Sequence, residues 1–534
     1  MLAAPLHVGR RRPHGNMAEM PDLVMDRLRE RAALFADRIA LVEGRTTFTY
    51  AELFDRAGRF ASALVRSGVK KGDALLAFLP NVHEAVECEL AALMAGVAWI
   101  TLTSRLTWAE VSGVVVSCRP KFIVTNEEGR ERIESGLAAL PLPELPPLVI
   151  IGEPGRLAVA STALSYEELL SIAPAWEPLA PVGPEDVARL RYTSGTTGSA
   201  KAAVLPQRVY ATSLDVLLHE LGPFSEADRA LHVAPLTHGS GALLYPVLYS
   251  GGRNVLVRHF DVSLVLSLIE KERITTMFTV PTMLSRLVTS PEFERYDLSS
   301  VRALVYGGAP MPAAQLQVAV RKLGHALYQI YGMTEAPWPI TVLKPSDHVP
   351  GSPRLASVGR PARGVEVTIA GAAGGAGADG EIRVRGGNVM TGYLDDEEAT
   401  RSVLANGVLS TGDLGRIDDD GYLFIVGRQK DVIISGGFNV YAAEVEAVLS
   451  THDAVLEAAV VGLPHDDWGE LVAAFVVPKP GAVLDAADID ALARRRLSGY
   501  KCPRHIEIVA DLPKNASGKI QKSEIMLRGR HDLR

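Results

Sequence analysis

The sequence predicts an α/β protein of at least two domains, the second small and C-terminal, on three observations. Helical patterns such as LVMDRLRERAALFADR alternate with short β-rich runs, and that alternation implies sheets covered by helices. The chain has 534 residues, more than one hydrophobic core usually organises. The texture changes after GYLFIVGRQKDVIIS (421–435), beyond which the chain holds compact helix and strand units of its own.

Taken in order, residues 1–20 carry three consecutive arginines with no apolar run behind them. They are expected to be a disordered tail, not a secretory signal. Residues 23–38 have the spacing of an amphipathic helix. The stretch 88–104, CELAALMAGVAWITLTS, is the most apolar of the long segments. It begins next to a charge and falls short of the roughly 20 residues a membrane helix needs, so no membrane span is expected. KFIVTN (121–126), PLVII (147–151), HVAPL (232–236), NVLVRHF (254–260), TTMFTVP (275–281) and RALVYGG (302–308) read as strands. Residues 369–386 read as a Gly/Ala hairpin connection entering a strand, and DDDG at 418–421 as a hairpin turn. Charged and polar residues at Gln429 and Lys430 break two apolar strands and set the expected domains at 21–429 and 430–534. In the second, NVYAAEVEAVLSTH (439–452) reads as a helix, and AVLEAAVVGLP (454–464) and AAFVVP (473–478) as strands.

With 47% hydrophobic and 22% charged residues, the composition is that of an ordinary globular enzyme. A net charge of -7 argues against general nucleic-acid binding, so anionic ligands must be held by local devices. Cys88, Cys118 and Cys502 are too few and scattered for a disulfide frame or zinc site, and fit a reducing cytoplasm.

Four segments carry the chemistry. YTSGTTGSAK (192–201) supplies hydroxyls from Thr193, Ser194, Thr196 and Thr197, backbone freedom at Gly195 and Gly198, and an ammonium from Lys201. These donors suit a clamp for the β- and γ-phosphates of ATP, although such a decapeptide can also be a plain surface turn. In QIYGMTEAPW (329–338), Tyr331 can stack on adenine, with Gly307, Gly308 and Ala309 as a thin opposite wall. Thr334 and Glu335 fit phosphate and magnesium contacts, and the alternative is again a simple turn. Asp413 can accept both ribose hydroxyls, with Arg428 reaching the sugar or a phosphate. Lys519 in LPKNASGKIQK can swing into a cleft and neutralise charge on an α-phosphate, or be a solvated surface lysine.

Together the four segments resemble the adenylate-forming superfamily of acyl-CoA synthetases, aryl-CoA ligases, peptide-synthetase adenylation domains and beetle luciferase. The likeness runs from TFTYAEL at 47 to GKIQK at 522, in family order and spacing. It implies a large N-terminal domain of α/β subdomains and a small mobile α+β lid. It also implies ATP and Mg2+, a carboxylic acid substrate, and coenzyme A as co-substrate. By resemblance the 193–201 loop holds the departing phosphates, Tyr331 with Gly332 borders adenine, Thr334 binds the α-phosphate, and Glu335 helps hold magnesium. Asp413 and Arg428 hold the ribose, and Lys519 bridges carboxylate and phosphate. Lys430 matches the hinge. Gly436 and Gly437 would line the pantetheine tunnel, and Trp468, Tyr500 and Lys501 the lid surface where coenzyme A lies. The acyl pocket maps to His238, Gly239, Phe278, Gly307, Ile330, Gly332, Pro337 and Trp338, the indole favouring a short or aromatic acid. His238 can gate the pocket or orient the carboxylate, or be a structural histidine at a strand end. Two departures bear on the acceptor: Ala442 stands where the family commonly has proline, and Cys502 where some aryl-CoA ligases have a basic residue. An amine or a carrier-protein thiol therefore remains open as the acceptor beside coenzyme A, in a monomer or homodimer.

Overall fold

The computed structural model describes residues 23–104, 106–137, 139–140, 142, 144–152, 163–177, 181–192, 201–337, 339–371, 378–435, 438–465, 467–514 and 520–532, leaving aside the side chains of 135, 439 and 529–532. Thr193 to Gly198, Trp338, Gly436, Gly437 and Lys519 lie outside the described residues. Among the described residues the strands form four sheets.

The first sheet has nine strands. Leu327–Tyr331, Ala303–Gly307, Thr276–Thr279, Arg229–His232, Arg253–Leu256 and Ile39–Glu43 run parallel in that order. Antiparallel Thr341–Leu343 and Thr46–Thr49 flank them. The second sheet has eight strands, with a parallel body including Ala98–Thr103 beside Val187–Tyr192, and an antiparallel edge of Ala202–Pro206 and Gly392–Tyr393. Parallel strands buried on both faces must be apolar throughout, which is why runs such as Ala74–Leu79 are buried at every position.

The apolar segment 88–104 is explained by this packing. The helix His83–Ala95 touches strands of both sheets and is buried almost all round. It ends at Gly96, whose φ of 64° is the left-handed cap that glycine adopts most readily. The chain then enters Ala98–Thr103. No described helix is long and apolar enough to cross a membrane.

A third sheet joins Val365–Ala370, Gly380–Gly386 and Val408–Ile417, with Leu423–Arg428 on the last of these. The short 3-10 turn Gln429–Asp431 then leads into the fourth sheet. There Val455–His465 and Gly469–Pro478 form the long antiparallel pair. Alternation across this sheet makes two cores, Val460 and Val472 facing Ile489 on one side, Val461 and Ala473 facing Leu512 and Ile525 on the other. A C-terminal unit with its own core fits the mixed α/β class with a large first and a smaller second domain.

Three sequence expectations shift. HVAPL is not a strand: the strand Arg229–His232 ends where HVAPL begins. The buried Asn81 amide donates to the carbonyls of His232, Ala234 and Val257 and accepts from the Leu236 N–H, replacing the ladder and turning the chain out. His238 therefore stands not at a strand end but at the start of the 3-10 helix Gly239–Leu243. NVYAAEVEAVLSTH is helical only over Ala442–Leu449, because residues before it belong to the strand Phe438–Tyr441 paired with Val432–Ser435.

Candidate active site

The described part of the site is assembled where the second and third sheets meet the C-terminal edge of the first. Tyr331 ends Leu327–Tyr331, and the following loop closes on itself through Ile340 N–H to Tyr331 O at 2.7 Å. From beneath, Met390 N–H donates to the Glu335 carbonyl and the Asn388 amide to the Pro337 carbonyl. The loop carrying Gly332, Thr334, Glu335 and Pro337 is thereby fixed by residues more than fifty positions away.

Asp413 and Arg428 are direct cross-strand partners in the hairpin of the third sheet. The Arg428 Nε donates to Asp413 Oδ1 at 2.8 Å, and the Tyr331 hydroxyl to Oδ2 at 2.6 Å. Both Tyr331 and Asp413 are buried. Burial, and then the Asp413 charge, push the Tyr331 phenol well above its ordinary range. Burial works against the Arg428 cation, but Asp413 outweighs it and holds the guanidinium charged. Each Asp413 oxygen thus has one donor and can accept another.

Glu335 is buried, and its Oε1 accepts from the Tyr393 hydroxyl at 2.7 Å. Among the described residues Oε2 accepts no hydrogen bond. Tyr393 also carries the Lys201 ammonium 5.4 Å above its ring centroid, and that ammonium lies 3.9 Å from Asp396. Pairing of Tyr393 with Ala203 across the sheet edge brings these groups together. Sequence reading missed Tyr393 and Asp396, because their partners lie far off in sequence.

Behind Gly307, a Cβ would run into the Ile330 carbonyl, so glycine there serves close strand packing. Gly308, at φ +84°, faces open space. Phe278 and Ile330 are buried in the core beneath.

His238 meets solvent, yet the protein mass around it, and then the charges of Arg191 and Arg189, hold its imidazole down at about 4. Its Nδ1 is 2.5 Å from the Thr237 hydroxyl. The turn it opens is anchored by His232, whose ring bridges Ser240 at 3.0 Å and Asn254 at 2.8 Å. His232 and Arg191 had no signal in the sequence beyond an unusual polar residue in an apolar run.

In the C-terminal unit, Arg504 stacks over Trp468 at 3.9 Å, and the rings of Phe438 and Tyr500 are 4.8 Å apart. Lys501 is paired with Glu444 at 2.7 Å, which raises its basicity. Cys502 is buried with its thiol toward the Leu497 and Ser498 carbonyls, and Ala442 is buried at a helix start.

The model for AMP-binding enzymes matches residues 28–394, and the model for their C-terminal domain matches residues 444–519. The chain belongs to the AMP-binding enzyme family. Within this family, a feruloyl-CoA synthase from an Amycolatopsis species is 38% identical over 505 residues, covering 93% of this chain and 97% of that one. A 2-succinylbenzoate–CoA ligase from Bacillus licheniformis is 34% identical over 93% of this chain and 98% of its own length. Among solved structures, ATP-bound MatB from Rhodopseudomonas palustris superposes with a TM-score of 0.86 at 31% identity, over 96% of this chain and all of that one. The amide bond synthetase McbA from Marinactinospora thermotolerans gives 0.84 at 31% identity, over 95% and 99%. As an AMP-binding enzyme, the chain has the α/β fold with a C-terminal domain that its sequence predicts.

Proposed function

We propose that this enzyme is an AMP-forming acid:coenzyme A ligase acting on an aromatic or short- to medium-chain carboxylic acid. The observation that carries the reading is Asp413 held between Arg428 and Tyr331, a preformed receptor for two vicinal hydroxyls next to the Glu335 loop. The 3-10 turn Gln429–Asp431 between the third and fourth sheets supports a domain boundary at Lys430.

In the first half-reaction a carboxylate oxygen attacks the α-phosphorus of ATP, the P–O bond to pyrophosphate breaks, and an acyl-adenylate forms. Positioning and charge neutralisation supply most of such catalysis. The 193–198 loop and Lys201 take the departing phosphates, Thr334 the α-phosphate, Tyr331 and Gly332 the adenine side, and Lys519 the bridge between the two reacting groups. Magnesium, when bound, offsets phosphate charge, and a buried carboxylate with one oxygen fixed by Tyr393 suits a hard cation that keeps most of its other ligands as water and phosphate. In the second half-reaction the thiol of coenzyme A attacks the acyl carbon and AMP leaves. Arg504 on Trp468, with Tyr500 and Lys501, offers a cationic aromatic surface for its nucleotide, and Gly436 and Gly437 the tunnel. The relatives named for feruloyl-CoA and 2-succinylbenzoate support an aryl acid.

A second reading is an amide synthetase, favoured by the likeness to McbA. Pyrophosphate release with MgATP across benzoates, cinnamates and fatty acids, with coenzyme A, an amine or neither, tests both. Turnover dependent on coenzyme A with one acid class is expected. Turnover that needs an amine instead overturns the ligase reading.

A further inference from the structure

Away from the residues assigned to adenylation, Glu43, His83 and Glu84 bring three metal-ligating atoms within 4.8 Å of one another. Glu43 ends the strand Ile39–Glu43 of the first sheet, and His83 and Glu84 open the helix His83–Ala95 that touches strands of both sheets. Regular elements thus carry all three side chains. The His83 Nδ1 lies 2.8 Å from Glu43 Oε2 and 3.3 Å from Glu84 Oε2. Phe48 packs against the imidazole, the ring centroids 4.5 Å apart.

One ring nitrogen carries at most one hydrogen, and the shorter contact gives it to Glu43. Glu43 is otherwise well supplied: it accepts from the His83 backbone N–H at 3.0 Å and pairs through Oε1 with Arg258 at 2.9 Å. Glu84 is 7% exposed, and among the described residues its carboxylate accepts no hydrogen bond from another residue. The neighbouring Glu87 is already held by Arg56 at 2.7 Å and by the Tyr166 hydroxyl at 2.8 Å. A buried carboxylate without a donor costs free energy, and a cation beside it offsets that cost.

The separations indicate the kind of cation. Metal bonds of about 2.1 Å meeting at 90–110° hold their ligand atoms about 3.0–3.4 Å apart, close to the two distances around His83 Nδ1. An imidazole nitrogen with carboxylate oxygens suits a borderline dication such as Zn2+, whereas Mg2+ takes oxygen ligands. The three side chains keep 10–18% of their surface exposed, which gives an ion a way in from solvent. Arg258 fixes the outer oxygen of Glu43, as partners of ligating carboxylates do.

We propose that Glu43, His83 and Glu84 form a binding site for one Zn2+ ion, with His83 Nδ1 and an oxygen of each carboxylate as its protein ligands. The ion takes the place of the hydrogen on Nδ1 and ties the end of a first-sheet strand to the helix between the sheets. The inference is independent of the adenylating reading, because no residue assigned to that site belongs to this one.

The test titrates Zn2+ alone into chelator-treated full-length enzyme by calorimetry, with metal analysis and melting temperature read on the same samples. One equivalent of Zn2+ and a higher melting temperature are expected. His83→Gln and Glu84→Gln, each close to the native shape, weaken binding at least about 10-fold and lose the rise in melting temperature, while Glu335→Gln keeps both. Co2+ bound to the wild type is expected to absorb in the visible without a thiolate charge-transfer band. No stoichiometric binding to the wild type, binding that survives in both variants, loss of binding in Glu335→Gln, or a thiolate band overturns the proposal.

Discussion

Two regions of the molecule handle charge in opposite ways. At the proposed nucleotide end one carboxylate, Asp413, is held by one guanidinium and one phenol, each on its own oxygen. On the strand Val187–Tyr192 two guanidiniums, Arg189 and Arg191, have among the described residues one carboxylate within ion-pair distance, Glu89 at 3.4 Å from Arg189. A network whose charges are matched is rigid and suits a neutral partner such as a sugar; two cations with one carboxylate near them keep an excess of positive charge.

The largest expected effect breaks the nucleotide end. Asp413→Ala leaves Arg428 and Tyr331 facing each other without their acceptor, and should lower kcat/KM for ATP by two to three orders of magnitude (about 3–4 kcal/mol), read from pyrophosphate exchange. A loss no greater than that of Tyr331→Phe, which removes a single donor and should cost about 3- to 10-fold, would show that Asp413 is not the organising group.

The region around His232 should respond to pH through stability. His232 is fully buried with its imidazole pulled down to about 4 by burial. Its unfolded value is near 6.5, so between about 6.5 and 4 the unfolded chain binds the proton that the folded one refuses. Stability is therefore full above about 6.5 and declines as pH falls to about 4, by at most about 3 kcal/mol. Urea unfolding of the wild type and His232→Gln checks this, the variant showing a shallower decline. His238, neutral over the same range, should add no inflection to the adenylation rate above pH 5.5.

Tyr393→Phe gives a smaller change. It frees the Glu335 oxygen without altering charge, and should raise the magnesium concentration for half-maximal adenylation about 10-fold. An unchanged requirement would remove Glu335 from the metal's surroundings.

How much of this was legible follows the range of the interactions. Segments whose chemistry is local, such as Tyr331 to Glu335 or Asp413, can be proposed from residue type and spacing, and the fold brings Tyr331 and Asp413 together. Tyr393 does not, because its meaning arises only when Gly392–Tyr393 pairs with Ala202–Pro206, about 190 residues earlier. Arg191 reads in sequence as one polar residue in a strand; only the fold sets it beside Thr237 and His238. HVAPL looked like a strand since apolar content does not reveal that Asn81, 151 residues away from His232, takes over its carbonyls. The α/β class and the second domain were readable because alternation of helix and strand is repeated many times and single boundary errors do not disturb it.

The most direct measurement separates the two half-reactions in Lys519→Ala, using single-turnover formation of acyl-adenylate from acid and MgATP, and acyl-CoA formation from supplied acyl-adenylate. The account predicts a loss of about 100-fold or more in the first with the second within a few-fold of wild type. Equal loss in both, or a first step left intact, would contradict one site running adenylation and thioester formation in turn.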